Sequence, residues 1–70
     1  MSPAAAEFAR RGEQLLASHY RSKARTALAR ARQARWAGRE QAVAGLVHDA
    51  LWWRRFAQRF AARARQAGAR

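Results

Sequence analysis

The 70-residue chain has no cysteine, a single proline, four glycines and only four acidic residues. Without cysteine there is neither a disulfide framework nor a thiolate metal site. Pro3 stands at the start, so no later residue breaks a helix by lacking its backbone N–H. No apolar run approaches the ~18–20 residues needed to span a bilayer. The opening Met1-Ser2-Pro3-Ala4 lacks the basic-then-apolar layout of a secretory leader. These absences lead to the expectation of a cytoplasmic protein with no transmembrane segment.

Catalytic constellations are also missing. Glu7, Glu13, Glu40 and Asp49 do not fall at the spacing of a metal or glycosidase site, and there is no glycine-rich phosphate loop. His48 and Asp49 are neighbours, so a helix points them about 100° apart, unsuited to an acid–base pair. His19 falls among apolar residues and reads as a packing residue. The expectation is a non-enzyme with no metal, no cofactor and no small-molecule substrate.

What the chain does contain is alanine and arginine. Alanine supplies 20 of the 35 apolar residues, so few side chains are large enough to build a core. Small domains in that position often self-associate, and a homo-oligomer is expected. Fifteen Lys and Arg, fourteen of them Arg, oppose the four acids and leave a net charge of +11. Such a chain attracts polyanions: nucleic acid, an acidic protein surface or an anionic membrane. The guanidinium group, planar and able to bond bidentately, suits phosphate in particular.

Alanine, arginine, glutamine and leucine are strong helix formers. Ser2 before Pro3 provides a side-chain cap followed by proline at the first helical position. Gly38 is the best interruption near the middle. The chain therefore reads as one all-α domain over residues 1–70, with helix 1 at about 3–36, a turn near 37–39 and helix 2 at about 39–66. The favoured architecture is an antiparallel helical hairpin that completes a bundle by self-association. A single bent helix in a larger assembly, or a third helix created by a break near His19–Ser22, are the alternatives. Gly12 and Gly45, inside periodic apolar patterns, are expected to permit close helix contact.

Helical periodicity assigns faces. Phe8, Gly12, Leu15, Leu16 and His19 share one face of helix 1, continued by Ala27, Ala31 and Ala34. In helix 2, Val43, Leu46, Val47, Ala50, Trp53, Ala57, Phe60, Ala61 and Ala64 form the face expected to meet those alanines. A second face of helix 2 carries Trp52, Arg55, Phe56, Arg59 and Arg63, with His48 one turn ahead. It fits a dimer interface, a base-stacking and phosphate-binding surface, or an interfacial membrane face.

Charge is segmented along the chain. Residues 1–20 are neutral, residues 21–39 hold seven cations and no acid, residues 40–53 hold two acids, and residues 54–70 hold six cations. An antiparallel hairpin sets the acids of residues 40–53 beside the first basic block. That block holds the candidate site. Arg21, Arg25, Arg32 and Arg35 share one side of helix 1, and Trp36 and Arg39 follow. Gln33-Ala34-Arg35-Trp36 after an arginine cluster resembles the arginine-rich RNA-binding peptides of lambdoid phage antiterminators, although the arginines here are less densely spaced. The resemblance is confined to this short stretch and implies RNA binding by a helix.

The expected function is non-catalytic binding of nucleic acid, RNA or single strands in preference to duplex. Arg21, Arg25, Arg32, Arg35 and Arg39 would meet phosphates, and Arg55, Arg59 and Arg63 would form a second set. Trp36, Trp52 and Phe56 would stack on bases or bury in a partner interface. Two other classes compete: a cationic membrane-active peptide similar to small leaderless bacteriocins, and a regulator docking on an acidic protein through the Trp52/Phe56 face.

Overall fold

A computed structural model describes residues 2–68. It contains two helices, α1 (Pro3–Trp36) and α2 (Glu40–Gly68), folded back on each other as an all-α helical hairpin. The Cα envelope measures 54 × 12 × 11 Å. A 34-residue helix is ~51 Å long, so α1 runs nearly the whole length of the rod.

The caps explain the boundaries. Ser2 is extended (φ −69°, ψ 154°), and its Oγ accepts a hydrogen bond from the Ala5 N–H at 3.1 Å, with Pro3 following in the first turn. At the other end the Gly38 N–H donates to the Arg35 carbonyl (3.1 Å) and the Arg39 N–H to the Ala34 carbonyl (2.9 Å). This pair of bonds is the Schellman arrangement, which needs a left-handed residue at Gly38; Gly38 has φ +73°. The Arg39 carbonyl then accepts from the Val43 N–H at 3.1 Å, and α2 begins. So short a turn forces the antiparallel direction. The helix does not break at His19–Ser22.

The buried residues are all alanines: Ala17, Ala24, Ala27, Ala31 and Ala34 on α1, and Ala50, Ala57 and Ala64 on α2. Ala17, Ala24 and Ala31 recur every seven residues, as do Ala50, Ala57 and Ala64. A seven-residue repeat keeps a seam in contact only if the helices wind around each other with a left-handed supercoil. Allowing ~2.3 Å for the Cα radius of each helix, the 12 Å envelope puts the axes about 7–8 Å apart, at the close end of helix packing. At the buried positions the side chain between the backbones is a methyl group.

Tyr20 sets the register. Its ring lies 5.5 Å from Trp53, 5.4 Å from Phe56 and 5.5 Å from Phe60, stacked on each. Positions 53, 56, 57 and 60 outline one hole on α2, and Tyr20 is the knob that enters it. The same register, carried along both helices, sets Ala17 level with Phe60, Ala24 with Trp53, Ala31 with Leu46 and Ala34 with Val43. Large side chains of α2 meet small ones of α1, as the periodicity of the two helices predicts.

Three expectations fail in the first half of α1. Phe8 and Leu15, assigned to the packing face, are 81% and 72% exposed, and Leu16 is 41% exposed. The seven-residue repeat set by Ala27, Ala31 and Ala34 runs back through Ala24, Tyr20, Ala17, Glu13 and Arg10, and it bypasses Phe8 and Leu15. Phe8 and Leu15 lie on the opposite side of α1 from these positions, so they point away from α2. His19 is exposed rather than packed, its ring set edge-on to Tyr20 at 5.2 Å. At Gly12 and Gly45 an added Cβ would meet nothing within 4 Å, because alanines make the close contacts.

Candidate nucleic-acid interface

The seam divides the surface of the rod into two edges. On one, Arg10, Gln14 and Arg21 of α1 line a cleft with Ala61, Ala64 and Arg65 of α2. On the other, the Lys23 ammonium sits 5.0 Å above the Trp53 ring. The other cations of the site are placed relative to these two landmarks.

Arg25, Arg32 and Arg35 follow Arg21 at steps of four, seven and three residues, which keeps them on the first edge. Arg39 follows in the turn, and the register brings Arg54 of α2 to the same edge as the row. Arg21 to Arg35 spans ~21 Å of helix. All of these residues are exposed. Among the described residues, the only arginines in ion pairs are Arg10 and Arg11, both on Glu7. Neither Glu40 nor Asp49 pairs with the first basic block, and the Asp49 carboxylate instead faces His48 Nδ1 at 3.8 Å, too far for a hydrogen bond. The positive charge of the row is therefore uncompensated by local carboxylates.

Glu7 has a different task. Arg10 donates to it from Nε (3.2 Å) and from Nη2 (2.6 and 2.7 Å), and Arg11 donates from Nε at 3.2 Å. The hydrogen bonds from Arg10, aided by its charge and by Arg11, hold the Glu7 carboxyl below its ordinary pKa against the opposing effect of desolvation.

The second set does not join the first. Trp52, Arg59 and Arg63 belong with Phe56 and Lys23 on the opposite edge. Arg59 lies over the Phe56 ring at 5.5 Å, and Arg63 over Phe60 at 5.3 Å. Arg55 points away from α1, on the back of α2, and is exposed. Phe56 is half-buried against Tyr20 and is met edge-on by Trp52 at 5.3 Å. It belongs to the aromatic cluster that sets the register, so one of its faces is already taken. Trp52 remains 50% exposed, and Trp36, beside the arginine row, is 92% exposed.

Comparison with protein-family models, curated proteins and solved structures finds no match. The functional reading therefore rests on the chain's own chemistry. No group of three His, Asp or Glu capable of holding a metal ion occurs among the described residues. No helix among them is long and apolar enough to cross a membrane.

The sequence pattern passed over Arg10, Gln14, Arg54 and Arg65. These residues come to the first edge only through the pairing of the helices. The signal available in the sequence was the seven-residue alanine repeat, which fixes the seam and hence the edges.

Proposed function

We propose that the protein binds nucleic acid along the edge carrying Arg21, Arg25, Arg32, Arg35 and Arg39, without catalysing a reaction on it. One observation carries this reading: four guanidinium groups share one side of α1, Arg39 follows in the turn, and among the described residues no carboxylate pairs with any of the five. Uncompensated arginines repel one another, a cost that a phosphate backbone relieves by displacing its own counterions. The exposed Trp36 ring next to the row suits an unstacked base, which favours RNA or single strands over duplex. Self-association through the Trp52 edge would cover its apolar surface and leave the arginine row outward.

The test is binding of a labelled single-stranded RNA followed across a salt series. Five phosphate contacts to a single strand give a log–log slope on the order of −3 to −4. Arg32→Glu combined with Arg35→Glu abolishes binding while the circular dichroism stays helical. Unchanged affinity in that variant refutes the assignment. A complex of fixed stoichiometry with an acidic protein, insensitive to salt, would instead identify a protein-docking regulator.

A second reading has its own observation. Phe8, Leu15 and Trp36 fall on one line of α1 and are 81%, 72% and 92% exposed. An apolar line flanked by arginines also suits the surface of an anionic membrane. Leakage from anionic vesicles at low micromolar protein, abolished by Phe8→Ser with Leu15→Ser, would favour it.

A further inference from the structure

Arg21 and Arg54 face each other across the seam. Arg21 lies four residues after the buried Ala17 and three before the buried Ala24. Arg54 stands in the same relation to Ala50 and Ala57 on α2. Equivalent positions of an antiparallel pair flank the seam on the same side. Ala61, seven residues on from Arg54, lines a cleft together with Arg21, which places both rows on one edge. The register agrees, since Arg21 follows Tyr20 and Arg54 follows Trp53, a ring on which Tyr20 stacks. With the axes this close, the Cα atoms of positions 21 and 54 are roughly 7 Å apart. Two arginine side chains rooted so near each other can bring both guanidinium groups to one point.

Other equivalent positions along this edge hold Gln14 with Ala61, Leu28 with Val47 and Arg35 with Glu40. Among these four pairs, two cations meet only at Arg21 and Arg54. No acidic residue occurs in residues 14–39 or 50–70. Both arginines are exposed, and neither pairs with a carboxylate among the described residues. Toward the turn the edge becomes apolar and half-exposed at Leu28, Val47 and Leu51. The pair is therefore a discrete cationic point rather than part of a uniform strip. Each guanidinium offers five donors and no acceptor. A phosphate group, with several acceptor oxygens, can take paired hydrogen bonds from both and offset their mutual repulsion.

We propose that Arg21 and Arg54 together clamp one phosphate, so that both helices of the hairpin hold it. The proposal deepens the nucleic-acid reading and rests on it for the source of the phosphate, a backbone phosphate of the bound strand. A free phosphate ion would satisfy the same two side chains. A lone arginine-rich helix would lack half of this site.

The test is a double-mutant cycle on the full chain with a labelled single-stranded RNA, each protein followed across a salt series. Arg21→Gln and Arg54→Gln are each expected to weaken binding about tenfold, and the double variant by far less than the hundredfold product, because the two share one phosphate. The log–log salt slope should fall by about 0.7 in either single variant and no further in the double. Arg30→Gln, exposed on the other edge, removes the same charge elsewhere and should change affinity less than about twofold. Losses that multiply in the double variant overturn the clamp, since they assign the arginines to separate phosphates. RNA binding in Arg54→Gln equal to that in Arg30→Gln overturns the clamp and leaves the nucleic-acid reading standing. Inorganic phosphate, compared with sodium chloride at equal ionic strength, separates the two sources. Should the unaltered chain bind no RNA while phosphate raises its melting temperature more than that of Arg54→Gln, the clamp is upheld for a free anion and the nucleic-acid reading falls. No RNA binding, with equal shifts by phosphate in the two proteins, overturns both.

Discussion

The Tyr20 ring lies nearly parallel to the rings of Trp53 and Phe60, at 13° and 8°, with both centroids 5.5 Å away. One aromatic side chain of α1 is thus held by two of α2 that are seven residues apart. In a seam whose buried residues are all alanines, this aromatic contact opposes slippage of one helix past the other. Tyr20→Ala is expected to destabilise the hairpin by about 2–4 kcal/mol, counting lost burial and lost aromatic pairing. Phe8→Ala, a removal of similar size on an exposed face, should change stability by less than ~0.5 kcal/mol. Urea denaturation of both variants checks the face assignment, and a Phe8 cost equal to that of Tyr20 would disprove it.

The alanine seam predicts intolerance of larger side chains. Ala50 is 4% exposed and lies level with Ala27, itself 7% exposed. Ala50→Leu inserts three carbons at a buried position of the seam, and should cost about 1–3 kcal/mol. Ala29→Leu, on the exposed side of α1, should be neutral to slightly stabilising, since leucine is nearly as good a helix former as alanine. Thermal melts of the two variants separate the effect of the seam from that of leucine itself.

Glu13 occupies a seam position, level with Ala64, and its Oε2 is shielded from solvent without a hydrogen-bond partner. A shielded, unpartnered carboxylate oxygen opposes folding. Glu13→Leu should therefore stabilise the hairpin by about 1–2 kcal/mol and raise the net charge by one. A lower melting temperature for this variant would show that Glu13 has a partner in solution.

Acid should loosen the start of α1. Glu7 titrates below its ordinary value because Arg10 and Arg11 bond the carboxylate. A group depressed by folding contributes stability that is fully present above its unfolded pKa and is lost as pH falls through the lower, folded value. Amide exchange in the first three turns of α1 should accelerate between neutral pH and about pH 3, after correction for intrinsic rates. In Glu7→Gln that acceleration should disappear. Exchange that responds to acid equally in both proteins would remove Glu7 as the cause.

The two edges carry different charges to different ends. Arg32→Glu with Arg35→Glu should abolish RNA binding, whereas Arg59→Ala with Arg63→Ala should leave most of it, because those guanidiniums lie over aromatic rings on the far side. Anisotropy titrations at one fixed salt concentration compare them. Equal losses would mean that the bound strand wraps the rod rather than following one edge.

Much of the architecture was written in the order of residues. Ser2 and Pro3 start a helix, Gly38 provides the left-handed residue that ends it, and the lack of any later proline lets each helix run its full length. The alanines at 27, 31 and 34 and the bulky face of α2 were legible for the same reason: helical periodicity is local. Local chemistry also established the charge and its concentration in residues 21–39.

What needed the folded hairpin was the choice between competing apolar faces in the first half of α1. Size and hydropathy favoured Phe8 and Leu15, but the seam follows the buried alanines and Tyr20, whose ring is held by Trp53 and Phe60, some forty residues away in the chain. The same pairing sorted the cations, sending Arg21 and Arg65 to one edge and Lys23 and Arg63 to the other, and it opened the cleft over Ala17, Ala61 and Ala64. A single helix specifies which of its residues share a side. Only the close approach of the second helix decides which side becomes the inside and which residues from two distant segments become neighbours.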